Sequence, residues 1–187
     1  MIKNVPYCWQ HIPEALKKKY LTEKVSKGMV PMKDGTASRS ETLAHMLRVY
    51  GNTPEEKEVV EPQLINVFTG SRGWQGRVYI NRGKVRAHII VQKTPPLGRF
   101  VRQEFDNVRL GTFKKHVKQS GALYIQSVGV EKQLRRKGVS RTMINSFSGA
   151  IWLHAENAGP ATAYKRMGFR EIPELSEPPR LFMVRGP

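Results

Sequence analysis

A chain of 187 residues with 39% hydrophobic and 9% aromatic content can bury the core of one domain, or of a domain with an appendage. It is too apolar for wholesale disorder. Its single cysteine, Cys8, excludes an internal disulfide and a thiolate metal cluster, and its five histidines show no close metal-ligand spacing, so no metal is expected. Lys and Arg outnumber Asp and Glu by 32 to 15, a net charge of +17, and no apolar run approaches the roughly 20 residues of a membrane span. The opening "MIKNVPYCWQ" is too polar for the apolar stretch of a signal peptide, and a cytoplasmic protein is expected.

In chain order, residues 1–62 read as a helical, polar section. "IPEALKKKYLTEKV" carries a helical stripe at Ala15, Leu16, Tyr20, Leu21 and Val25. "SKGMVPMKDGTAS" reads as a loop. "SRSETLAHMLRVYG" is predicted as a helix capped by Ser40 and stopped by Gly51. A further short helix is expected after Thr53, with Pro54 at its first position and acids in its first turn. From Gln63 the texture turns to strands: "QLINVFT", then "GWQGRVYI" and "KVRAHIIVQK" joined by a hairpin turn at "NRG". A long basic connection with interleaved Phe follows, from Thr94 to Gly121. "ALYIQSVGV", "IWLHAEN" and "RLFMVRG" complete the strands. The sum predicts an α+β domain, a mostly antiparallel sheet with helices packed on it.

Charge is concentrated in the middle third. Ser71 to Arg141 holds 17 basic residues and three acidic ones, a net +14. Such a surface repels itself and suits an anionic partner, nucleic acid first, with a solubility face or an acidic protein partner as the alternatives.

Two stretches carry chemistry. In "VEKQLRRKGVSRTMINSF" a strand ending at Val130 meets a loop rich in Arg and Lys, then Gly138 and Ser140, then a helix. Amides at a helix N-terminus can hold a phosphate there, Gly138 permits close approach, and Arg135, Arg136 and Lys137 add charge. A solvated basic turn has the same composition. The second stretch, "AENAGPATAYKRMGF", sets Asn157 seven residues before Tyr164, with Gly168-Phe169 close behind.

Val130 to Ser140 resembles motif A of the GCN5-related N-acetyltransferases (GNAT), with a valine eight residues before the glycine of [QR]-x-x-G-x-[GA]. Asn157, Tyr164 and Gly168-Phe169 resemble motif B of the same family. Lys132 stands where a proline is frequent, and Ser140 replaces the last Gly or Ala. Only 19 residues separate Gly138 from Asn157, about ten fewer than usual, so a short helix is expected between the motifs. That trimming is similar to phage DNA-modification acyltransferases of the Mom type. The resemblance covers Gln63 to the C-terminus, which implies a GNAT-like core over 63–187 and a helical section over 1–62 packed on it or appended to it. A dimer contact or a lid is the role left open to that section.

What the resemblance implies is acyl transfer from acetyl-CoA, or another acyl-CoA, to an amine. The strands "ALYIQSVGV" and "IWLHAEN" would splay apart to admit the acyl-CoA. The backbone around Val128 and Val130 would hold the pantetheine and thioester, and Arg135, Arg136, Lys137, Gly138, Val139, Ser140 and Arg141 the pyrophosphate. Asn157 would bond to the pantetheine arm, and Tyr164 would protonate the departing thiolate. Simpler roles stand beside these: Asn157 as a helix cap, Tyr164 as a packing residue, Gly168 as a helix stop and Phe169 as core. The general base is not identified, with His88, Glu131 and His154 as candidates. The long connection would present Arg99, Arg102, Arg109, Lys114 and Lys115 to the acceptor, with Phe100, Phe105 and Phe113 either stacking on bases or anchoring the loop. Three functions remain open: an N-acyltransferase acting on nucleic acid (a modified DNA base or an aminoacyl-tRNA), a protein or peptide N-acetyltransferase, and a non-catalytic GNAT-like module binding nucleic acid or a host protein.

Overall fold

Seven strands and six α-helices lie within residues 14–33, 35–71, 73–93, 107–117 and 121–187, which the computed structural model describes. In chain order they are α1 (Glu14–Lys27), β1 (Met29–Pro31), α2 (Arg39–Tyr50), α3 (Pro54–Phe68), β2 (Trp74–Asn81), β3 (Lys84–Lys93) and α4 (Asn107–His116). Then come β4 (Leu123–Val130), α5 (Val139–Ile144), β5 (Ile151–Ala155), α6 (Ala158–Lys165), β6 (Arg170–Glu171) and β7 (Leu181–Arg185). The strands form one sheet in the order β1-β2-β3-β4-β5-β7-β6. Every neighbouring pair is antiparallel except β4–β5. The expected α+β class and the hairpin at "NRG" are both present. Arg82 and Gly83 take φ of 52° and 70°, the pair of positive angles that a two-residue hairpin turn demands.

Several expectations are corrected. The cap of α2 is Ser38, whose hydroxyl accepts from the Glu41 N–H at 3.3 Å, and Ser40 lies inside the helix. Glu41 three residues beyond Ser38 is a capping-box spacing. The "SKGMVPMKDGTAS" loop contains β1. "QLINVF" is helical, because α3 runs on past Pro62 to bury Val60, Leu64 and Val67 along one face. The expected division at 62/63 therefore cuts through a helix. The long connection contains α4, anchored by Phe113.

Register decides what each face carries, since directly paired residues point the same way. On one face Ala87, Ile89 and Val91 join Ile125, Val130, Leu153 and Met183 under α1, α5 and α6. The other face has two separate apolar clusters. Val78, Val85 and Ile90 pack with Met46, Leu64 and Val67 of α2 and α3. Trp152, Phe182 and Val184 pack with Phe113 of α4 and with Leu175. Between these clusters runs a polar strip: Gln92, whose side chain accepts from Gln126 Nε2 at 2.8 Å, then Ser127 and His88.

Candidate active site

β4 and β5 are held together only at Leu123↔Ile151 and Tyr124↔Trp152. Beyond those two pairs β4 continues on β3 and β5 continues on β7, so the two strands part. A bulge contributes: Ser127 pairs with Ile90 and Ile125 with Val91, leaving Gln126 as the extra residue on β4. A bulge bends its strand and redirects side chains, a device common beside active sites. At the parting lies a cavity of about 330 Å³ whose walls include Tyr50, Val128, Val130, Ser140, Ala163 and Tyr164.

Five of the residues singled out in the sequence, Val128, Val130, Arg135, Ser140 and Tyr164, meet at this cavity. Arg135 is positioned by its Nε–H, which donates to the Val130 carbonyl at 3.0 Å. Arg136 and Lys137 are exposed, and Gly138 takes the left-handed conformation, φ 82° and ψ 0°, immediately before α5. No side chain caps α5, so the N–H groups of its first turn, including those of Val139, Ser140 and Arg141, are available to a ligand. The Val139 side chain is core, leaving its backbone as its contribution. The Arg141 guanidinium instead donates to the Arg166 carbonyl at the end of α6.

Asn157 caps α6: its side-chain oxygen accepts from the Gly159 N–H at 2.9 Å. The residue is exposed. Tyr164, on α6, is half-buried and meets the Phe169 ring edge-on at 5.5 Å. Burial, reinforced by the nearby Tyr50, raises its phenol above the ordinary tyrosine range, so it stays protonated at neutral pH.

A polar cluster that the sequence does not reveal adjoins the cavity. Tyr50 reaches from the end of α2 to the parted strands. Its hydroxyl lies 3.1 Å from His88 Nε2 and 3.3 Å from Ser127 Oγ, and His88 Nε2 lies 2.9 Å from that same Oγ. Burial pushes the Tyr50 phenol up to about 12. His88 is fully buried; desolvation, then the neighbouring His45, drives its pKa well below the ordinary value. The His45 ring stands edge-on to His88 at 5.1 Å, and burial lowers it to about 4 against the opposing pull of Glu131. Its Nδ1 is 3.9 Å from Glu131 Oε1. Neither His45 nitrogen makes a well-formed hydrogen bond, although the Gly129 backbone lies beside the ring. Glu131 also receives Arg86 at 2.8 Å and Gln133 at 2.7 Å, on the wall of a second cavity of about 590 Å³ that Arg48, Lys84, Lys132 and Arg135 make basic.

Of the residues expected on the acceptor side, Arg99, Arg102, Phe100 and Phe105 lie outside the described residues. Arg109 forms an ion pair with Glu177. Lys114 and Lys115 are exposed on α4, whose Phe113 packs edge-on against Trp152 at 5.1 Å. His154, the other candidate base, lies on the α4 side of the sheet, with Tyr124 Oη at 3.5 Å and an Arg180 nitrogen at 3.2 Å from its Nδ1. Among the described residues no group of three or more His, Cys, Asp or Glu side chains could hold a metal, and no helix is long and apolar enough to cross a membrane.

These residues fit an acyl-CoA. The parted strands leave the facing edges of β4 and β5 outside any strand pairing beyond Tyr124↔Trp152. The uncapped, glycine-led turn with three cations suits a diphosphate. The apolar lining of Val128, Val130 and Ala163 suits an alkyl arm.

No family model matches the chain, and no curated protein does. Solved structures do. The Drosophila melanogaster polyamine N-acetyltransferase aligns at a TM-score of 0.56 and 12% identity, over 85% of this chain and 100% of its own. A protein from Desulfovibrio desulfuricans assigned to the GNAT family of acetyltransferases aligns at 0.55 and 11%, over 83% and 94%. The Arabidopsis thaliana protein NAA60, solved in complex with acetyl-CoA, aligns at 0.55 and 18%, over 84% and 97%. At such identities the likeness speaks for the fold, and the fold of this chain is that of the GNAT acetyltransferases.

Proposed function

We propose that the chain is an acyl-CoA-dependent N-acyltransferase that uses acetyl-CoA. The observation that carries this reading is the parting of β4 and β5 beside Tyr164, with the left-handed Gly138 turn at its edge. Acetyl-CoA supplies an acyl group activated as a thioester. The pyrophosphate rests on the α5 amides with Arg135, Arg136 and Lys137, and the pantetheine arm runs along Val128 to Val130. As the amine forms its C–N bond and the C–S bond breaks, Tyr164 gives its proton to the sulfur, and the nitrogen loses one. Titration of the protein with acetyl-CoA tests the reading: saturable binding supports it, and a flat titration overturns it.

The acceptor we propose is an amine on nucleic acid, a modified DNA base or an aminoacyl-tRNA. The net +14 between Ser71 and Arg141 and the exposed Lys114 and Lys115 support it. Affinity for DNA or RNA is expected to fall steeply with rising salt, as counterion release requires. Undetectable affinity even at low salt turns the reading toward a protein acceptor.

A further inference from the structure

The fold brings a tyrosine, a serine and two histidines together from three separate elements, His45 and Tyr50 from α2, His88 from β3 and Ser127 from β4, with Tyr50 in the cavity wall and the others behind it. Two of them, Tyr50 and His88, hold positions that packing alone does not require. Tyr50 leaves part of its ring exposed at the rim while its hydroxyl turns inward. His88 is fully buried, and its Nε2 faces two hydroxyls. Its partner across the strands is Gly129, where a Cβ would come within 2.2 Å of the His88 ring, so β4 gives up a side chain to make room for it. A leucine or methionine would fill that space without burying polar atoms.

We propose that Tyr50, Ser127 and His88 form the proton-accepting side of the active site, the counterpart of Tyr164 as donor. This inference rests on the acyltransferase reading. The proton shed by the attacking nitrogen passes to Tyr50 Oη as Tyr50 gives its own to His88 Nε2, directly over 3.1 Å or through the Ser127 hydroxyl over 3.3 and 2.9 Å. The relay requires His88 to be neutral with its proton on Nδ1, a buried nitrogen with no hydrogen-bond partner among the described residues, and to hold the second proton only transiently, since burial disfavours the imidazolium. After the C–S bond breaks, Tyr164 is one proton short and His88 carries one extra. Exchange between them by way of solvent in the cavity that Tyr50 and Tyr164 both line returns the site to its starting charge. His45 lies behind His88, and the Glu131 and Glu41 carboxylates act on it against the Arg48 guanidinium.

Three measurements on the full chain decide it. Nitrogen-15 histidine spectra of the wild type at neutral pH report the tautomer: a neutral His88 with its proton on Nδ1 is expected, and a proton on Nε2 overturns the relay, since that nitrogen could accept nothing. The second follows thiol release from acetyl-CoA with butylamine or with hydroxylamine as acceptor. Both nitrogens shed one proton as the C–N bond forms. Butylamine arrives as the ammonium and must first lose another to solvent, and its bonded nitrogen stays basic enough to need an acceptor. Hydroxylamine arrives largely neutral, and its bonded nitrogen is acidic enough to give its proton to water. Tyr50→Phe and His88→Gln are expected to cut the butylamine rate about 10²- to 10³-fold, within the range of general-base contributions, and the hydroxylamine rate by about tenfold or less. Ser127→Ala is expected to cost less than Tyr50→Phe. Equal losses with both acceptors, or none, overturn the relay, as does butylamine inert with the wild type while hydroxylamine reacts. The third is acetyl-CoA affinity, expected to stay within about twofold in the Tyr50→Phe and Ser127→Ala proteins. A wild type that binds no acetyl-CoA overturns the acyltransferase reading and the relay with it. Normal binding with the wrong tautomer overturns the relay alone.

Discussion

Gly129 and His88 face each other across β4 and β3, and the glycine has no room for a methyl group: a Cβ there would lie 2.2 Å from His88 Cε1 and 2.9 Å from Val49 Cγ1. His88 cannot swing aside without losing Tyr50 and Ser127. Gly129→Ala is therefore expected to destabilise the protein by about 1–3 kcal/mol, the usual cost of overpacking. Urea unfolding of the two proteins measures it, and an unchanged midpoint would show that the ring relocates freely.

Tyr164→Phe keeps the contact with Phe169 and removes the hydroxyl that the proposed mechanism uses as proton donor. Turnover is expected to fall about 10²-fold or more while acetyl-CoA affinity stays nearly intact. Because burial raises the phenol, the donor remains protonated through neutral pH and deprotonates only above the ordinary tyrosine range. The alkaline limb that depends on Tyr164 is therefore expected above about pH 10 in a rate profile.

Gly138 sits in the left-handed region, φ 82°, where a side chain costs about 1 kcal/mol. Gly138→Ala is expected to weaken acetyl-CoA binding modestly. Gly138→Glu, which adds bulk and negative charge beside the diphosphate, is expected to abolish it. Normal binding by the Glu variant in a calorimeter would refute the placement of the phosphates.

Buried histidines make the fold acid-sensitive. His45 titrates near 4 when folded and near 6.5 when unfolded, so below 6.5 the unfolded chain binds the extra proton first. Stability is fully present above about pH 6.5 and declines as pH falls towards 4, by roughly 3 kcal/mol from this residue. His154, also lowered to about 4, acts in the same direction. The urea midpoint is expected to drop between pH 7 and pH 5, and His154→Asn to flatten that slope. A pH-independent midpoint would contradict the burial of both rings.

Lys114 and Lys115 provide the test of a nucleic-acid acceptor on described residues. Replacing both with Ala is expected to weaken binding and to lower the slope of log affinity against log salt by about one for each lost phosphate contact. An unchanged slope would place the nucleic acid elsewhere on the surface.

What was legible in the sequence follows from how local each signal is. Alternating residues and the "NRG" turn define β2 and β3, and glycine spacing places the turn before α5. "QLINVF" misleads because its branched residues resemble a strand. The spacing of Val60, Leu64 and Val67, behind the Thr53 cap that accepts from the Glu56 N–H, was the better guide. Ser38 and Glu41 hold the capping-box spacing, whereas Ser40, expected as the cap, is followed three residues later by Leu43. The Tyr50–Ser127–His88 cluster left no local trace, since its members lie 38, 39 and 77 positions apart and meet only once the sheet forms.

The two ladder pairs joining β4 to β5 close the narrow end of a wedge. Tyr124 and Trp152, one of those pairs, are also 4.2 Å apart as rings, and Phe113 of α4 abuts Trp152. The helix inserted between β3 and β4 thus bears on the apex of the wedge rather than on its mouth. One aromatic block thus ties the position of α4, with Lys114 and Lys115 on it, to the place where the two strands begin to diverge.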